Sequence, residues 1–533
     1  MSRKTEGLLV LGLFVLLALA QVSESAPSPA PSTASAGPDP PQLTVLQYNT
    51  TVPAKYQSNY TTLENILDGF NASLGPTPLS PNKFAYSASL VPADGNQGPT
   101  LLGSSNQNTV NANLDAYQAM GVQEVEISIP YPLLSPGFPN SSQYLNYYTQ
   151  LVQTVHSRGM KALVESHVAF VGTGFSSLNY SFRGLAYSDF VTGIAAQDQL
   201  IISKVKPDYI DIGTEADTEA GLTGYHQLDT ASGWTSFIEQ LLSSLSKDGS
   251  PTKIGAGAGT WNGIQFMQGF VNNPNLDFLT THIYPLYDGS VVGDPLQTLI
   301  QMGQLAQQNN KRIIISEFWP ETVTSPSPPP GTGVGGEFAD HQEVWGFTTG
   351  IDAKTLELVA KFSEIYPVEL LNTFSEQYFF AHLNYTPQLD SEGYFTLDNQ
   401  INQLWAQNMR TYTVTPTGEE YASLASASQG QNQTTTTLSS TTSQSLTTHQ
   451  GSSTSETTAK TSSTTSTVVS STGVGSTILS STTLTSSTES SGAITEFPYQ
   501  LAAVAVLTAL IAGSYVIARR KLSHQNATPR DIE

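Results

Sequence analysis

Two glutamates stand out in the sequence because each comes shortly after a strand-like run of apolar residues. Glu215 follows Tyr209–Ile212, and Glu317 follows Arg312–Ser316 directly. Runs rich in β-branched residues are typical of buried parallel strands, and barrel enzymes carry their reactive groups at the C-terminal ends of such strands. A pair of carboxylates placed in this way is suited to breaking a glycosidic bond.

Four further side chains lie at or just beyond the ends of strand-like runs and could take part in this chemistry. They are His167, His282, Tyr284 and Trp319. An imidazole can bind a sugar hydroxyl or tune a carboxyl group, and an indole offers a flat apolar face to a sugar ring. Taken singly, each has a simpler explanation, since a lone histidine or tryptophan is more often part of the core. Glu215 alone could also begin a helix.

Eight strand-like runs alternate with helical stretches along the chain. The runs are Phe84–Leu90, Val122–Ile129, Lys161–Glu165, Tyr209–Ile212, Lys253–Gly257, Phe278–Ile283, Arg312–Ser316 and Val368–Phe374. The helical stretches include Ser142–Arg158, Ser188–Lys204, Trp234–Ser246, Pro295–Gln308 and Thr355–Ile365. This alternation predicts an α/β protein with a (β/α)8 TIM barrel. A doubly wound open sheet shares the alternation, but no Gly-rich phosphate loop follows the first run.

On this count Glu215 lies at strand four, Glu317 lies at strand seven, and His282 and Tyr284 lie at the end of strand six. In these features the body of the chain resembles clan A of the glycoside hydrolases. It is similar to glycoside hydrolase family 5 or to the mannanase-type family 113. The resemblance implies that Glu215 is the acid/base and Glu317 the nucleophile of a retaining enzyme.

A retaining mechanism requires two carboxyl groups about 5–5.5 Å apart. Glu317 is then expected to stay ionised and to be oriented by a hydrogen bond from Tyr284. Partial burial and the nearby negative charge are expected to keep Glu215 protonated before the attack. His167 and His282 are expected to bind sugar hydroxyls or to tune Glu215, and Trp319 is expected to form an aromatic platform for a sugar.

The sequence departs from the pattern of the clan at three places. Thr214 stands before the acid/base, where the clan usually has an asparagine that contacts the sugar 2-hydroxyl, although Gly-Thr-Glu also occurs in family 113. The lip of strand two, Ser128–Tyr131, has no arginine where family 5 uses one. Strand eight has no tryptophan, so Phe374, Tyr378 or Phe379 would replace it. The family within the clan therefore stays open.

Two segments of the body lie outside the alternating pattern. Leu43–Pro81 precedes the first run and is interpreted as a capping segment, and Thr322–Glu337 is a Pro/Gly-rich loop after strand seven that could wall the cleft. The acidic stretch Glu337–Glu343 contains His341, but its spacing matches no zinc motif. No Gly-x-Ser-x-Gly elbow occurs, which argues against an esterase. The sequence predicts neither a metal nor another cofactor.

The two ends of the chain differ in composition from the body. Residues 1–20 have a basic start and an apolar run typical of a cleaved signal peptide, and residues 21–41 form a Pro-rich linker. The body spans 42–424, and 425–496 is a Ser/Thr-rich stretch suited to a glycosylated stalk. Phe497–Ala518 is long enough to span a bilayer, and the basic cluster that follows it predicts a cytoplasmic tail over 519–533.

Composition narrows the class of partners. The formal charge is −22, and only 12% of the residues are charged. The body has no basic patch, so nucleic acid is not expected as a partner. The low number of lysines suits an acidic exterior. At low pH the carboxylates are protonated, and a protein with few lysines then has little repulsion between its positive charges. The composition of an ordinary glycoprotein explains the low number equally well. The absence of cysteine is compatible with an extracellular domain of this size.

Seven Asn-x-Ser/Thr sites before the predicted membrane span favour an N-glycosylated surface protein. They are Asn49, Asn59, Asn71, Asn140, Asn179, Asn384 and Asn432. The expected protein is a monomeric, single-pass membrane protein with its body outside the cell. We interpret it as a retaining glycosidase that cleaves a β-linked polysaccharide or oligosaccharide. The alternative is a carbohydrate-binding or structural surface protein on a degenerate barrel.

Overall fold

The computed structural model describes residues 41–77, 83–168, 182, 184–247, 249–285, 294–320, 344–392 and 394–429. Several predicted segments lie outside these residues. They are the signal peptide, nearly all of the linker, the loop Thr322–Glu337, the acidic stretch Glu337–Glu343, the membrane span and the tail. Within the described part of the chain, no helix combines the length and the apolar character that a bilayer span requires.

Eight parallel strands close into a barrel, and each strand pairs with the next along the chain. In chain order they are Ala85–Ser89, Glu124–Ser128, Lys161–Glu165, Tyr209–Asp211, Lys253–Gly257, Phe278–Ile283, Arg312–Phe318 and Val368–Thr373. We call them strands one to eight. All eight predicted runs are strands, so the predicted (β/α)8 barrel is confirmed.

Eleven helices of the described residues surround or extend the barrel. They are α1 Gln57–Leu74, α2 Ser104–Ala119, α3 Ser141–Ser157, α4 Tyr187–Leu200, α5 Ala216–Thr223, α6 Ala231–Ser244, α7 Gln265–Gln268, α8 Pro295–Gln308, α9 Thr349–Ile365, α10 Tyr394–Arg410 and α11 Pro416–Ser428. Local sequence fixes several of their starts. The Asp294 carboxylate accepts hydrogen bonds from the amides of Leu296 and Gln297 at the start of α8, and Pro295 needs no partner there.

The segment before the first strand is joined to the end of the body. Thr44–Val45 forms a short parallel ladder with Thr413–Val414, and α1 packs on α9. The last helix, α11, packs on α9 and strand one and continues to Ser428. Residues 425–428, which were assigned to the stalk, therefore belong to the body, because Leu424 and Ala425 are buried against it.

The barrel interior changes from apolar to polar along its axis. One layer is apolar and contains Leu163, Tyr209, Phe278, Ile314 and Leu370. Nearer the C-terminal ends of the strands, the buried inward positions are polar, including Ser87, Glu126, Glu165, Asp211, Thr280, His282 and Asn372. Side chains alternate between the two faces of a strand, so the apolar residues between these positions pack against the helices. The polar half of the interior is the floor of a cleft.

Candidate active site

Glu317 faces the cleft because strand seven contains an irregularity. Thr281 pairs with Ile315, but the next residue of strand six, His282, pairs with Glu317, so Ser316 is an extra residue in the ladder. A bulge of this kind redirects the following side chain. Ser316 and Glu317 can therefore both face inward, and Glu317 lies within the strand rather than beyond its end as predicted.

Glu215 reaches the same cleft from the turn after strand four. It is the residue directly before α5. Gly213 has a φ of 156°, and a Cβ there would lie 3.0 Å from the Trp234 ring, so the turn requires glycine. Trp234 is fixed below the turn by a hydrogen bond of 2.8 Å from its Nε1 to the carbonyl of Gly257.

His282 connects the two glutamates. Its Nδ1 lies 2.9 Å from Glu215 Oε1 and 3.2 Å from Glu317 Oε2. Because both oxygens lie against one nitrogen, they are no more than about 6 Å apart, which agrees with the spacing that a retaining glycosidase requires. Tyr284 donates a hydrogen bond of 2.5 Å to Glu317 Oε2. The structure thus brings together four of the residues selected from the sequence.

The distribution of charge between the two glutamates differs from the expectation. Burial raises the pKa of Glu317 to about 8, assisted by the charges of Glu165 and Glu215 and opposed by His282 and the Tyr284 hydrogen bond. Burial also raises the pKa of Glu215, but the hydrogen bond and charge of His282 outweigh burial and hold it below its usual range. These directions are the reverse of the expectation, which placed the raised pKa on Glu215, and the two carboxyl groups titrate together because both contact the same ring nitrogen.

His167 lies at the edge of the cleft after strand three. Its Nε2 is 3.2 Å from Ser128 Oγ and 3.3 Å from Asn96 Nδ2. Burial lowers the pKa of His167 to about 4, against the opposing charges of Glu165 and Glu215. His167 is therefore neutral over most of the pH range and can serve as a hydrogen-bonding group in the cleft.

The Thr214 side chain makes its hydrogen bonds inside the barrel. Its hydroxyl donates to Asp211 Oδ2 and lies 2.6 Å from Thr280 Oγ1. Both partners lie inside the barrel, so the side chain is directed into the floor of the cleft. Thr214 therefore lines the cleft and supports Asp211, while its contact with a sugar, which the departure from the clan left open, stays open.

Trp319 is not placed as a platform for a sugar. It is 1% exposed and stacks on Tyr378, with ring centroids 5.7 Å apart, while Phe379 meets its edge at 5.8 Å. It does not line the cleft. The residue is buried because the chain after strand eight passes over it. Among the residues that the structure describes, the aromatic side chains at the cleft are instead Tyr284 and Phe374, whose rings are 6.4 Å apart and nearly perpendicular.

Five buried or partly buried acids in the cleft were not selected from the sequence as site residues. They are Asp94, Glu126, Glu165, Asp211 and Glu219. Glu126 Oε1 has no hydrogen-bond partner among the described residues, and burial raises its pKa well above the usual range. Strand two reads Glu124-Val-Glu126-Ile-Ser128, and this alternation was the available signal that Glu126 faces inward.

One group in the described part of the chain is compact enough to be considered for a metal, namely Glu165, His282 and Glu317. Both ring nitrogens of His282, however, face carboxylate oxygens within 3.2 Å. That arrangement suits an imidazolium, which has no free lone pair for a metal. We assign no metal to this group.

Comparison with solved structures finds the chain similar, at low identity, to several glycoside hydrolases. GH5_18 from Bifidobacterium longum subsp. longum has 13% identity and a TM-score of 0.44, over 65% of this chain and 79% of that chain. A GH113 β-1,4-mannanase has 10% identity and a TM-score of 0.34, over 55% and 88%. A GH1 β-glucosidase from the fungus Humicola insolens has 9% identity and a TM-score of 0.40, over 66% and 99%.

No protein-family model matches the chain, and no curated protein matches it by sequence. The likeness to the three solved structures concerns the fold. The closed barrel itself, with Glu215 after strand four and Glu317 on strand seven, is the architecture that the resemblance to clan A implies.

Proposed function

We propose that the chain is a retaining glycosidase that cleaves a β-linked polysaccharide or oligosaccharide. The observation that carries this proposal is the contact of Glu215 and Glu317 with the same nitrogen of His282, at 2.9 and 3.2 Å. In an inverting enzyme a water molecule lies between one carboxylate and the anomeric carbon and acts as the nucleophile. Two carboxyl groups this close leave no room for that water and suit direct attack by one of them.

In the first step, Glu317 attacks the anomeric carbon while the bond from that carbon to the leaving oxygen breaks. Glu215 gives its proton to the leaving oxygen. In the second step, Glu215 accepts a proton from water, and the water oxygen attacks the same carbon and displaces Glu317. Tyr284 is suited to hold Glu317 in position, because its hydroxyl donates to Oε2.

This sequence of steps needs the proton on Glu215 at the moment of attack. We propose that the bound substrate reverses the directions of the two pKa shifts, so that Glu215 is protonated and Glu317 is ionised. The glycosidic oxygen is a hydrogen-bond acceptor and stabilises the protonated form of Glu215, and positive charge that develops at the anomeric carbon stabilises the ionised form of Glu317. The two carboxyl groups titrate as a pair, since they share the Nδ1–H of His282.

Two observations favour the second candidate, a carbohydrate-binding or structural barrel. The Thr214 side chain is directed into the barrel, and burial raises the pKa of Glu317, the carboxyl that would have to attack as an anion. A barrel that has lost catalysis could retain both features together with a polar cleft.

One experiment separates the two candidates. The purified body, residues 42–429, is offered β-glucans, mannans, xylans and galactans from pH 2 to 8, beside Glu215→Gln and Glu317→Gln. Hydrolysis by the unaltered protein and a loss of at least about 1,000-fold in each variant, with the melting temperature retained, would support the glycosidase. Binding without hydrolysis would favour the binding protein, and full activity in either variant would exclude the assigned roles.

We also propose that the protein is displayed outside the cell on a single membrane span. The signal peptide over 1–20 and the apolar stretch Phe497–Ala518 support this proposal. The side chains of Asn49, Asn71, Asn140 and Asn384 are exposed, as N-glycosylation requires. Mass spectrometry of the protein from its own membranes would show a mature start near Gln21 and glycans at these asparagines. An intact Met1 and unmodified asparagines would contradict the proposal.

A further inference from the structure

Glu165 contacts the Nε2 edge of the His282 ring, which is turned away from the two candidate catalytic carboxyl groups. It is the last residue of strand three, and its Oε1 lies 3.1 Å from His282 Nε2. Its side chain is 7% exposed and that of His282 is 6% exposed. Glu165 is therefore a buried carboxylate whose hydrogen-bonding contact in this cluster is the imidazole, and its charge also acts on Glu317 across the cleft.

The contacts of His282 fix its protonation state. Nε2 faces Glu165, and Nδ1 faces both Glu215 and Glu317. An ionised carboxylate only accepts hydrogen bonds, so each ring nitrogen carries a hydrogen and the ring is an imidazolium. Burial lowers the pKa of His282, but the charges of Glu317 and Glu165 and the hydrogen bonds to Glu165 and Glu215 outweigh it and hold the pKa well above the usual range.

We propose that Glu165 is a positioning residue that keeps His282 charged and oriented, so that one Nδ1–H is available to both catalytic carboxyls. The contact between Glu165 and His282 is independent of any assigned activity. Its consequence for catalysis rests on the proposed glycosidase function. The hydrogen bond of Glu165 goes to Nε2 of the ring and not to Glu215 or Glu317, so its positioning effect passes through His282.

The shared hydrogen has a defined use in the two steps. Before attack, Glu317 is the anion and the Nδ1–H stabilises it. After attack, Glu317 is an ester, Glu215 has given up its proton, and the negative charge lies on Glu215, which the same Nδ1–H then stabilises. The distances of 3.2 and 2.9 Å let one donor serve both states without movement of the ring. A neutral imidazole with its hydrogen on Nε2 could serve neither state.

The groups that face His282 come from several elements. Glu165 belongs to strand three, Asp211 to strand four and Glu317 to strand seven, while Glu215 lies after strand four and His167 after strand three. The carboxylates raise the pKa of the ring, and His167 is neutral. Replacing Glu165 by glutamine removes one of these charges and keeps an acceptor for Nε2–H, so the pKa of His282 falls.

The first test reads the ring directly and needs no substrate. Full-length protein labelled with 15N-histidine is titrated by NMR, and His282→Gln identifies the signal. We expect His282 to stay an imidazolium through neutral pH, and its midpoint to fall by about 1–3 pH units in Glu165→Gln. Asp198→Asn is the matched control, because Asp198 is a buried carboxyl that bonds Ser166, the neighbour of Glu165, and should leave the midpoint unchanged.

An unchanged His282 midpoint in Glu165→Gln would overturn the proposal, whether or not the protein hydrolyses any glycan. A neutral His282 in the unaltered protein would overturn it as well. If Glu165→Gln does not fold, Glu165→Asp provides the test, since it keeps the charge with a shorter side chain. Its midpoint should stay high while the ring loses its orientation, and a midpoint as low as that of free histidine would contradict the proposal.

The second test uses activity and separates positioning from packing. Loss of the imidazolium should move the alkaline limb of kcat/KM to lower pH in Glu165→Gln, because the charged ring is lost as pH rises through its lowered pKa. In a His282→Gln background the same substitution should have little further effect, since the two residues act as one unit. If Glu165→Gln lowered kcat/KM by the same factor at all pH values, and if this effect added fully to that of His282→Gln, the role of Glu165 would be limited to packing.

Discussion

His282 and Glu317 are direct partners on adjacent barrel strands, and the extra residue Ser316 makes them so. If the strand were regular and had no bulge, alternation would turn Glu317 toward the helices and leave Ser316 as the last inward residue. The bulge therefore does more than mark the end of a strand. It places the proposed nucleophile beside the imidazolium that also contacts Glu215.

Removal of the Tyr284 hydroxyl should impair the nucleophile. The hydroxyl donates to Glu317 Oε2 and lowers its pKa. Tyr284→Phe should therefore reduce kcat by about 10–100-fold and shift the acid limb of kcat/KM to higher pH. Tyr225→Phe is the control, because that hydroxyl bonds the Leu185 carbonyl at an exposed site. An unchanged pH profile in Tyr284→Phe would contradict the role given to Tyr284.

Thr214→Val should affect stability more than substrate binding. The hydroxyl bonds Asp211 and Thr280 below the cleft, and its loss leaves the buried Asp211 with fewer partners. We expect the free energy of unfolding to fall by about 1–3 kcal/mol, with KM within about twofold of the original. Thr214→Ser keeps the hydroxyl and should retain stability. A large rise in KM with unchanged stability would mean that Thr214 contacts the sugar after all.

The folded body should be more stable in acid than at neutral pH. Burial raises the pKa of Glu219 and Glu376 to about 8 and that of Asp198 and Asp352 to about 7. Unfolded carboxyls titrate near pH 4. The folded chain therefore holds more protons than the unfolded chain between these values, so stability is greatest below about pH 4 and falls as pH rises toward 8.

Denaturant unfolding at pH 4, 6 and 8 measures this dependence, and we expect a loss of at least about 2 kcal/mol over the range. Asp352→Asn removes one carboxyl group with a raised pKa and should make the free energy of unfolding depend less on pH. Stability that increases from pH 4 to pH 8 would contradict the account. A decrease would agree with the acidic exterior suggested by the low number of lysines.

Gly255 on strand five should tolerate no side chain. A Cβ there would lie 2.0 Å from the Phe278 ring, which fills the barrel interior. Gly255→Ala should cost about 1–3 kcal/mol of stability, and Phe278→Leu in the same chain should restore part of it. Gly69→Ala on α1, where a Cβ meets nothing within 4 Å, is the control and should not destabilise. Equal melting temperatures for both alanine variants would show that a Cβ at residue 255 does not clash with the Phe278 ring.

The barrel was predictable because its strands are short apolar runs separated by helices. Lys161–Glu165, Lys253–Gly257 and Phe278–Ile283 have the predicted bounds, and Pro295–Gln308 begins and ends as predicted. Several helices were missed. Gln57–Leu74 and Ser104–Ala119 are rich in Asn, Gln, Ser and Thr, which weaken the apolar periodicity that identifies a helix.

The site was predictable in part. Glu215, Glu317, His282 and Tyr284 could be selected because strand count places them at one end of the barrel. Side-chain direction was harder to obtain. Thr214 is drawn to buried partners that are distant in sequence, and Trp319 is buried by residues that follow strand eight. The charge of each glutamate depends on Glu165 and His282 together, and no single segment of the sequence contains that information.

The central claim is that Glu317 attacks the sugar and Glu215 transfers the proton, and azide rescue on an activated aryl glycoside tests it most directly. In Glu215→Ala, azide fits the vacated space and attacks the glycosyl-enzyme, so the product should be a β-glycosyl azide with retained configuration. In Glu317→Ala, azide attacks the substrate from the opposite face and should give the α-azide. The reverse pair of products would exchange the two roles, and rescue of neither variant would contradict the two-glutamate mechanism.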